Sequence, residues 1–166
     1  MTVLIAFDGS DDSQAAVDYA ARRLKAGPTV IMTVWEPLLT QLSWAPLAAA
    51  VPVAAQAPGD KYEEEKQAEQ LAGKGAEIAR AAGLTEVTTR AERGGGPVWA
   101  AIVDVADELD ASLIVTGSRG LAGARSVILG SVSTRVLHHA HRPVLVVPPH
   151  KDVPPHKDAP PREDAG

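Results

Sequence analysis

The sequence predicts one three-layer α/β domain, with a parallel sheet of five strands covered by helices on both faces. Two observations carry this prediction. Short, nearly continuous apolar runs such as Thr2–Phe7, Val30–Trp35 and Ser112–Thr116 have the pattern of strands buried on both faces. Between them lie longer segments whose apolar residues recur at spacings of three and four, the helical period. Strand and helix therefore alternate, and right-handed crossovers then give parallel pairing.

The first strand, Thr2–Phe7, runs into Asp8-Gly9-Ser10. Ser10 is the expected N-cap of the next helix, and Asp11 and Asp12 suit its positive end. Ala16, Val17, Ala20, Ala21 and Leu24 form the apolar stripe, and Gly27-Pro28 stops the helix. The second strand is Val30–Trp35, ended by Pro37. Residues 36–59 form a long apolar loop containing Trp44, which either packs across the surface or covers a site or partner contact. Asp60–Ala82 reads as the second helix, acidic at Glu63, Glu64 and Glu65 and stopped by Gly83. Glu86–Ala91 alternates in character and is placed at a sheet edge. Gly94-Gly95-Gly96 is a turn, and Pro97 takes a first helical position. Val98, Ala101, Ile102, Val105, Ala106 and Leu109 then make the cleanest helical stripe in the chain. Ser112–Thr116 is a strand, Gly117–Gly130 a glycine-rich loop, Ser131–Ala140 a short helix, and Pro143–Val147 the last strand.

The 166 residues carry a net charge of −5, with both signs mixed along the chain. Binding nucleic acid requires clustered Lys and Arg to neutralise phosphates, and no such cluster is present, so no nucleic-acid partner is expected. No basic leader precedes the first apolar run. Ala45–Ala57 contains Pro46 and Pro52 and is too short to span a bilayer. No membrane contact is expected, and the expected location is cytoplasmic. Without cysteine there is neither a disulfide framework nor a thiolate metal site. Residues 1–148 form the expected domain. Residues 149–166 repeat a charged, proline-rich hexamer, PHKDVP then PHKDAP, and are expected to be disordered. His138, His139 and His141 sit near a helix end, where positive charge is favourable, and adjacent histidines on a helix point apart, against metal binding.

The informative chemistry lies in Gly117-Ser118-Arg119-Gly120, nine further residues, then Gly130-Ser131. This segment leaves a buried strand after Thr116 and enters a helix. Glycines permit positive φ and close approach of a ligand to backbone amides. A helix N-terminus adds unsatisfied N–H groups and partial positive charge. Together they make an anion site suited to phosphate. Ser131 and Ser133 offer hydroxyls, and Arg119 and Arg125 offer positive charge. Ser118 and Ser126 read as plain loop residues, and Trp35 and Trp99 as packing residues. The P-loop, the dinucleotide fingerprint after the first strand and the G-x-S-x-G elbow are all absent.

VLIAFDGS at the start, Gly95 and Pro97 before the third helix, and the block ASLIVTGSRGLAGARSVILGSVSTRVLHHAHRPVLVV together resemble the universal stress protein family, from Met1 to about Pro148. The G-x2-G-x9-G-S spacing resembles its ATP-binding branch. The resemblance implies a Rossmann-like sheet of the adenine nucleotide alpha hydrolase-like type, with strand order 3-2-1-4-5. Strands 1 and 4 would then meet at the topological switch point, where open α/β sheets bind ligands. It further implies that Ala6, Phe7 and Asp8 line the nucleotide and that Val34 packs on adenine. Gly117, Gly120, Gly130, Ser131, Val132 and Ser133 would hold ribose and phosphates, with Thr116 and Arg119 adjoining them. ATP is the implied ligand, and Asp8 is the candidate ligand for a Mg or Mn ion carried with it. A homodimer paired through Val144, Leu145, Val146 and Val147 is implied as well.

The expected function is nucleotide-dependent regulation in a stress response. Two alternatives stand beside it, a slow ATP-hydrolysing enzyme and a ligand-free structural dimer. ATP pyrophosphatases of this general fold carry S-G-G-x-D-S after strand 1, whereas Asp8-Gly9-Ser10-Asp11-Asp12-Ser13 lacks the paired glycines. No general base stands out beside the phosphate loop, so turnover is expected to be slow or absent. The intact glycine motif speaks against a ligand-free protein.

Overall fold

A computed structural model describes residues 1–24, 27–36, 63–120 and 129–149. Their elements are β1 (Val3–Ala6), α1 (Asp11–Arg23), β2 (Thr29–Trp35), α2 (Glu63–Ala81), β3 (Val87–Arg93), α3 (Val98–Glu108), β4 (Leu113–Gly117), α4 (Ser131–His139) and β5 (Val144–Val147). The five strands form one sheet in the order β3-β2-β1-β4-β5, with every pairing parallel. β1 lies at the centre, with Val3 level with Thr29 and Leu113, and Ile5 level with Ile31 and Val115. The strand order implied by the family resemblance is the one observed.

Alternation along the strands divides the apolar side chains between two cores. Ile5, Phe7, Ile31 and Val115 pack with Ala16, Val17 and Ala20 of α1 and with Ala76 and Ala79 of α2. Leu4, Met32 and Ile114 pack on the other face with Ile102, Val105 and Ala106 of α3 and with Val136 of α4. Each fully buried large side chain, such as Leu4, Ile31 or Ile114, stabilises the fold by about 1.5–3 kcal/mol. Small residues on α1 and α2 let these helices lie close to the sheet. A Cβ at Gly75 of α2 would meet Ile31 Cγ2 at 2.8 Å and Phe7 Cδ1 at 2.9 Å.

The helix ends follow local chemistry. Ser10 caps α1, its side chain accepting from the Ser13 N–H at 3.2 Å. α2 stops at Gly83 with φ +110°, where the Leu84 N–H donates to Ala79 O and the Gly83 N–H to Arg80 O, both at 3.0 Å. That pair of bonds is a Schellman closure. β3 is displaced from the expected Glu86–Ala91 and runs to Arg93, because Ala91, Glu92 and Arg93 stay level with Thr33, Val34 and Trp35 of β2. Its place at the sheet edge is as expected. The loop beyond Glu36, the helix start at residues 60–62, Arg125, Ser126 and the tail from His150 lie outside the described residues. Among the described residues no helix is long and apolar enough to cross a membrane.

Candidate functional site

β1 and β4 are neighbours, yet the helices that follow them lie on opposite faces of the sheet. Such a strand pair is the topological switch point, the crevice at whose C-terminal ends open α/β sheets take ligands. Asp8 and Gly117–Gly120 both lie at this crevice.

Asp8 shapes the turn out of β1. Its Oδ1 accepts from the Ser10 N–H at 3.0 Å and from the Ser10 hydroxyl at 2.6 Å. Gly9 between them has φ +80°, a left-handed conformation that favours glycine. The second carboxylate oxygen faces the other connection, since a Cβ on Gly120 would stand 2.6 Å from Asp8 Oδ2. Asp8 therefore brings the end of β1 against the segment after β4.

The described glycines of the motif answer to space rather than to φ, which corrects the expectation from sequence. Gly9 and Gly83 have positive φ, whereas Gly117, Gly120 and Gly130 do not. Gly130 is extended, with φ −73° and ψ 161°. A Cβ there would lie 3.3 Å from both Arg119 Cα and Ser118 O. Its N–H donates to Ser118 O at 2.6 Å, which closes the β4–α4 connection at its base. A Cβ on Gly117 would lie 2.7 Å from the Asp12 carbonyl carbon, so α1 docks directly on the end of β4.

α4 begins with Gly130 as N-cap, a residue with no side chain to cap it. The contrast with α1, closed by Ser10, leaves the first turn of α4 as a positive helix end at the crevice. Ser131 is exposed there. Ser133 is buried, and its hydroxyl donates to Gly117 O at 2.7 Å, so its proton braces α4 against β4. Sequence reading had counted that hydroxyl among the phosphate donors.

Ala6, Val34 and Val132 are partly buried against the α3/α4 core and so share one face of the sheet. Thr116 joins that face by alternation with Ile114. It is 3% exposed, and its hydroxyl has no hydrogen-bond partner among the described residues. Phe7 points into the opposite core, and its carbonyl accepts from the Thr33 hydroxyl at 2.9 Å. At the same end of the sheet, beyond Val34, a recess of about 360 Å³ is lined by Glu92, Gly95, Gly96, Pro97, Ala101 and Asp104. His138 and His139 lie in the last turn of α4, at the other end of that helix. The ring of His139 packs on Trp99 with centroids 4.2 Å apart, and its Nδ1 contacts Arg135 O at 2.8 Å.

One group escaped the sequence reading. Asp12, read as a helix-dipole residue, is buried and accepts from the Ser118 hydroxyl at 2.7 Å and the Arg119 N–H at 3.0 Å. The Arg119 guanidinium lies on the same carboxylate, with Nε 3.2 Å from Oδ2 and Nη2 3.4 Å from Oδ1. Ser118 is thus a buried hydrogen-bonding residue rather than a plain loop residue.

A family model described as the universal stress protein family matches residues 1–148. A curated universal stress protein of Mycolicibacterium smegmatis is 33% identical over 148 residues, which cover 87% of this chain and 47% of that protein. The chain spans less than half the length of the curated relatives it matches first. Among solved structures, a universal stress protein in complex with cAMP is 30% identical with a TM-score of 0.61, over 90% of this chain and 98% of that one. The universal stress protein of Archaeoglobus fulgidus in complex with dAMP is 25% identical with a TM-score of 0.60, over 89% and 97% of the two chains.

Proposed function

The chain belongs to the universal stress protein family, and we propose that its crevice binds adenine nucleotides, ATP in particular, as the signal of a stress-response regulator. One observation carries this reading. The N-terminus of α4, with glycine as its N-cap, stands at the switch point, where Gly120 lies against Asp8 Oδ2 and Gly130 against Arg119 and Ser118 with no room for a larger side chain. The phosphates sit on the amides of Ser131 and Val132 and on the Ser131 hydroxyl. The nucleoside lies over Ala6 and Thr116, with the base on Val34. From β1 to β3 is two strand spacings, about 10 Å, so the recess beside Pro97 stands within reach of the base end. The complexes of relatives with cAMP and dAMP support the adenine class.

A Mg or Mn ion fits as a companion of the phosphates. Asp8 Oδ2, beside Gly120, would hold it together with phosphate oxygens and water, the mixed oxygen shell that Mg prefers. No described group of three His, Cys, Asp or Glu could hold an ion by itself. The ion would screen the phosphate charge from Asp8.

The protein acts as a pair of copies joined through β5, in the cytoplasm. Support for the pairing comes from the sheet, which ends on the partly buried apolar residues Val144, Leu145 and Val146.

Calorimetry on nucleotide-stripped protein tests the binding. Wild type binds ATP and Gly130→Val does not, because the added side chain fills the gap to Arg119 and Ser118. Ser131→Ala loses about ten- to a hundredfold in affinity, the worth of one hydrogen bond to a charged group. Equal ATP affinity in wild type and folded Gly130→Val would overturn the reading.

A further inference from the structure

We propose that Asp12 is the positioning residue for the phosphate end of this site, and that Arg119 serves as its partner instead of as a phosphate ligand; the inference rests on the nucleotide reading above. The side chain of Asp12 is 9% exposed, in the first turn of α1, where the helix dipole favours a carboxylate. A charge buried to that degree must be paired. Its partners come from two successive residues 106 and 107 positions further along the chain, Ser118 and Arg119. The Arg119 N–H and the Ser118 hydroxyl together fix the plane of the peptide between them. The carbonyl of that same peptide, Ser118 O, accepts from the Gly130 N–H, and Gly130 is the N-cap of α4. A continuous line of hydrogen bonds thus runs from α1 through Asp12, Ser118 and Gly130 to the helix end that faces the phosphates. Any tilt of Asp12 is passed to the amides of that helix end.

The same contacts settle the place of the guanidinium. Arg119 reaches Asp12 through Nε and Nη2, with its side chain 20% exposed. A phosphate that drew it away would leave the Asp12 carboxylate buried with its charge unmatched, which is strongly unfavourable. Arg119 therefore acts through Asp12, and attraction for the phosphates falls to the α4 amides and the accompanying ion. The expectation that Arg119 adds positive charge to the phosphates is replaced by this bracing role.

The experiment measures ATP and AMP affinity by calorimetry on the full chain, well below the melting temperature of each protein, together with amide hydrogen exchange at Arg119. Asp12→Ala should weaken ATP by about tenfold or more and speed exchange at Arg119 by a similar factor, since its hydrogen-bond acceptor is gone. Asp12→Asn keeps an acceptor oxygen and should recover most of the slow exchange. Arg119→Ala keeps the main-chain bond to Asp12 and should change ATP and AMP affinity by the same factor, within about threefold. Asp12→Ala that is folded and binds ATP as tightly as wild type overturns the positioning role while leaving the nucleotide reading intact. Arg119→Ala that loses about tenfold more for ATP than for AMP makes Arg119 a ligand of the terminal phosphates and overturns the bracing role. Failure of wild type to bind either nucleotide overturns both readings together.

Discussion

Gly117 and Asp12 approach so closely that a methyl group on Gly117 would stand 2.7 Å from the Asp12 carbonyl carbon and 2.8 Å from the Ser13 nitrogen. Both neighbours are backbone, so neither can swing aside. Gly117→Ala should push α1 off the end of β4 and lower stability by about 1–3 kcal/mol, the usual cost of overpacking. Thermal melting would show a loss of several degrees. Because the shift moves Asp12 as well, nucleotide affinity should fall too. A Gly117→Ala protein with unchanged melting temperature would show that the two segments can separate freely.

Thr116 gives a prediction of opposite sign for its two readouts. Its buried hydroxyl has no hydrogen-bond partner among the described residues, and an unsatisfied buried group costs about 1–3 kcal/mol. Thr116→Val keeps the shape and removes that group. The variant should melt a few degrees higher without nucleotide and bind ATP several-fold more weakly, if the hydroxyl meets the nucleoside. An unchanged affinity with raised stability would remove Thr116 from the site.

The fold was legible because its signals are periodic and local. Runs such as VLIA and LIVTG, and the stripe Val98, Ala101, Ile102, Val105, Ala106, declare buried strands and a buried helix face from residue type alone. Strand order is not written in such patterns and came through the glycine motif and its family resemblance. The candidate site was proposed from residue spacing, whereas the packing behind that spacing was not legible. The spacing Gly117, Gly120, Gly130 marks the crevice, yet each glycine is required by a neighbour distant in sequence, Asp12, Asp8 and Arg119 in turn. Asp12 was invisible for the same reason. An Asp in a first helical turn has a sufficient local explanation, and its partners lie 106 and 107 residues away.

The hydrogen bonds of β5 allow its outer edge to be tested without harming its inner one. Ile114 N donates to Pro143 O at 3.1 Å and Ser118 N to Val147 O at 2.8 Å. Residues 143 and 147 thus turn their carbonyls to β4, and by the alternation of a strand Val146 turns its backbone groups outward. Val146→Pro should therefore spare the β4 pairing and block a second copy. Light scattering at micromolar concentration should show a dimer for wild type and a folded monomer for the variant. A monomeric wild type would discard β5 as a dimer interface.

Arg90 ties β3 to α3, donating to Glu92 Oε2 at 2.7 Å and to both oxygens of Glu108 at 3.0 and 2.7 Å. Hydrogen bonding to this guanidinium holds the Glu108 carboxyl below its ordinary range. A carboxylate with a depressed folded pKa stabilises the protein above the unfolded value, about 4.3, and loses that effect as pH falls through the folded value. Glu108→Gln should thus be less stable than wild type at neutral pH, and the two should converge in acid. The gap will be small, because Glu108 is largely exposed. Urea melts at neutral and acid pH measure it, and a gap that widens in acid would contradict the pairing.

The polar strap on β3 has a consequence for how many copies can join. Of the sheet's two margins, β5 is short and apolar, whereas β3 carries Thr88, Thr89, Arg90, Glu92 and Arg93, a charged border of the kind that discourages strand addition. A sheet that joined copies on one margin and was guarded on the other could not propagate. Should two copies pair through β5 as proposed, only the charged margins would be left outside, so growth through the sheet would end at a closed two-fold pair instead of a fibre.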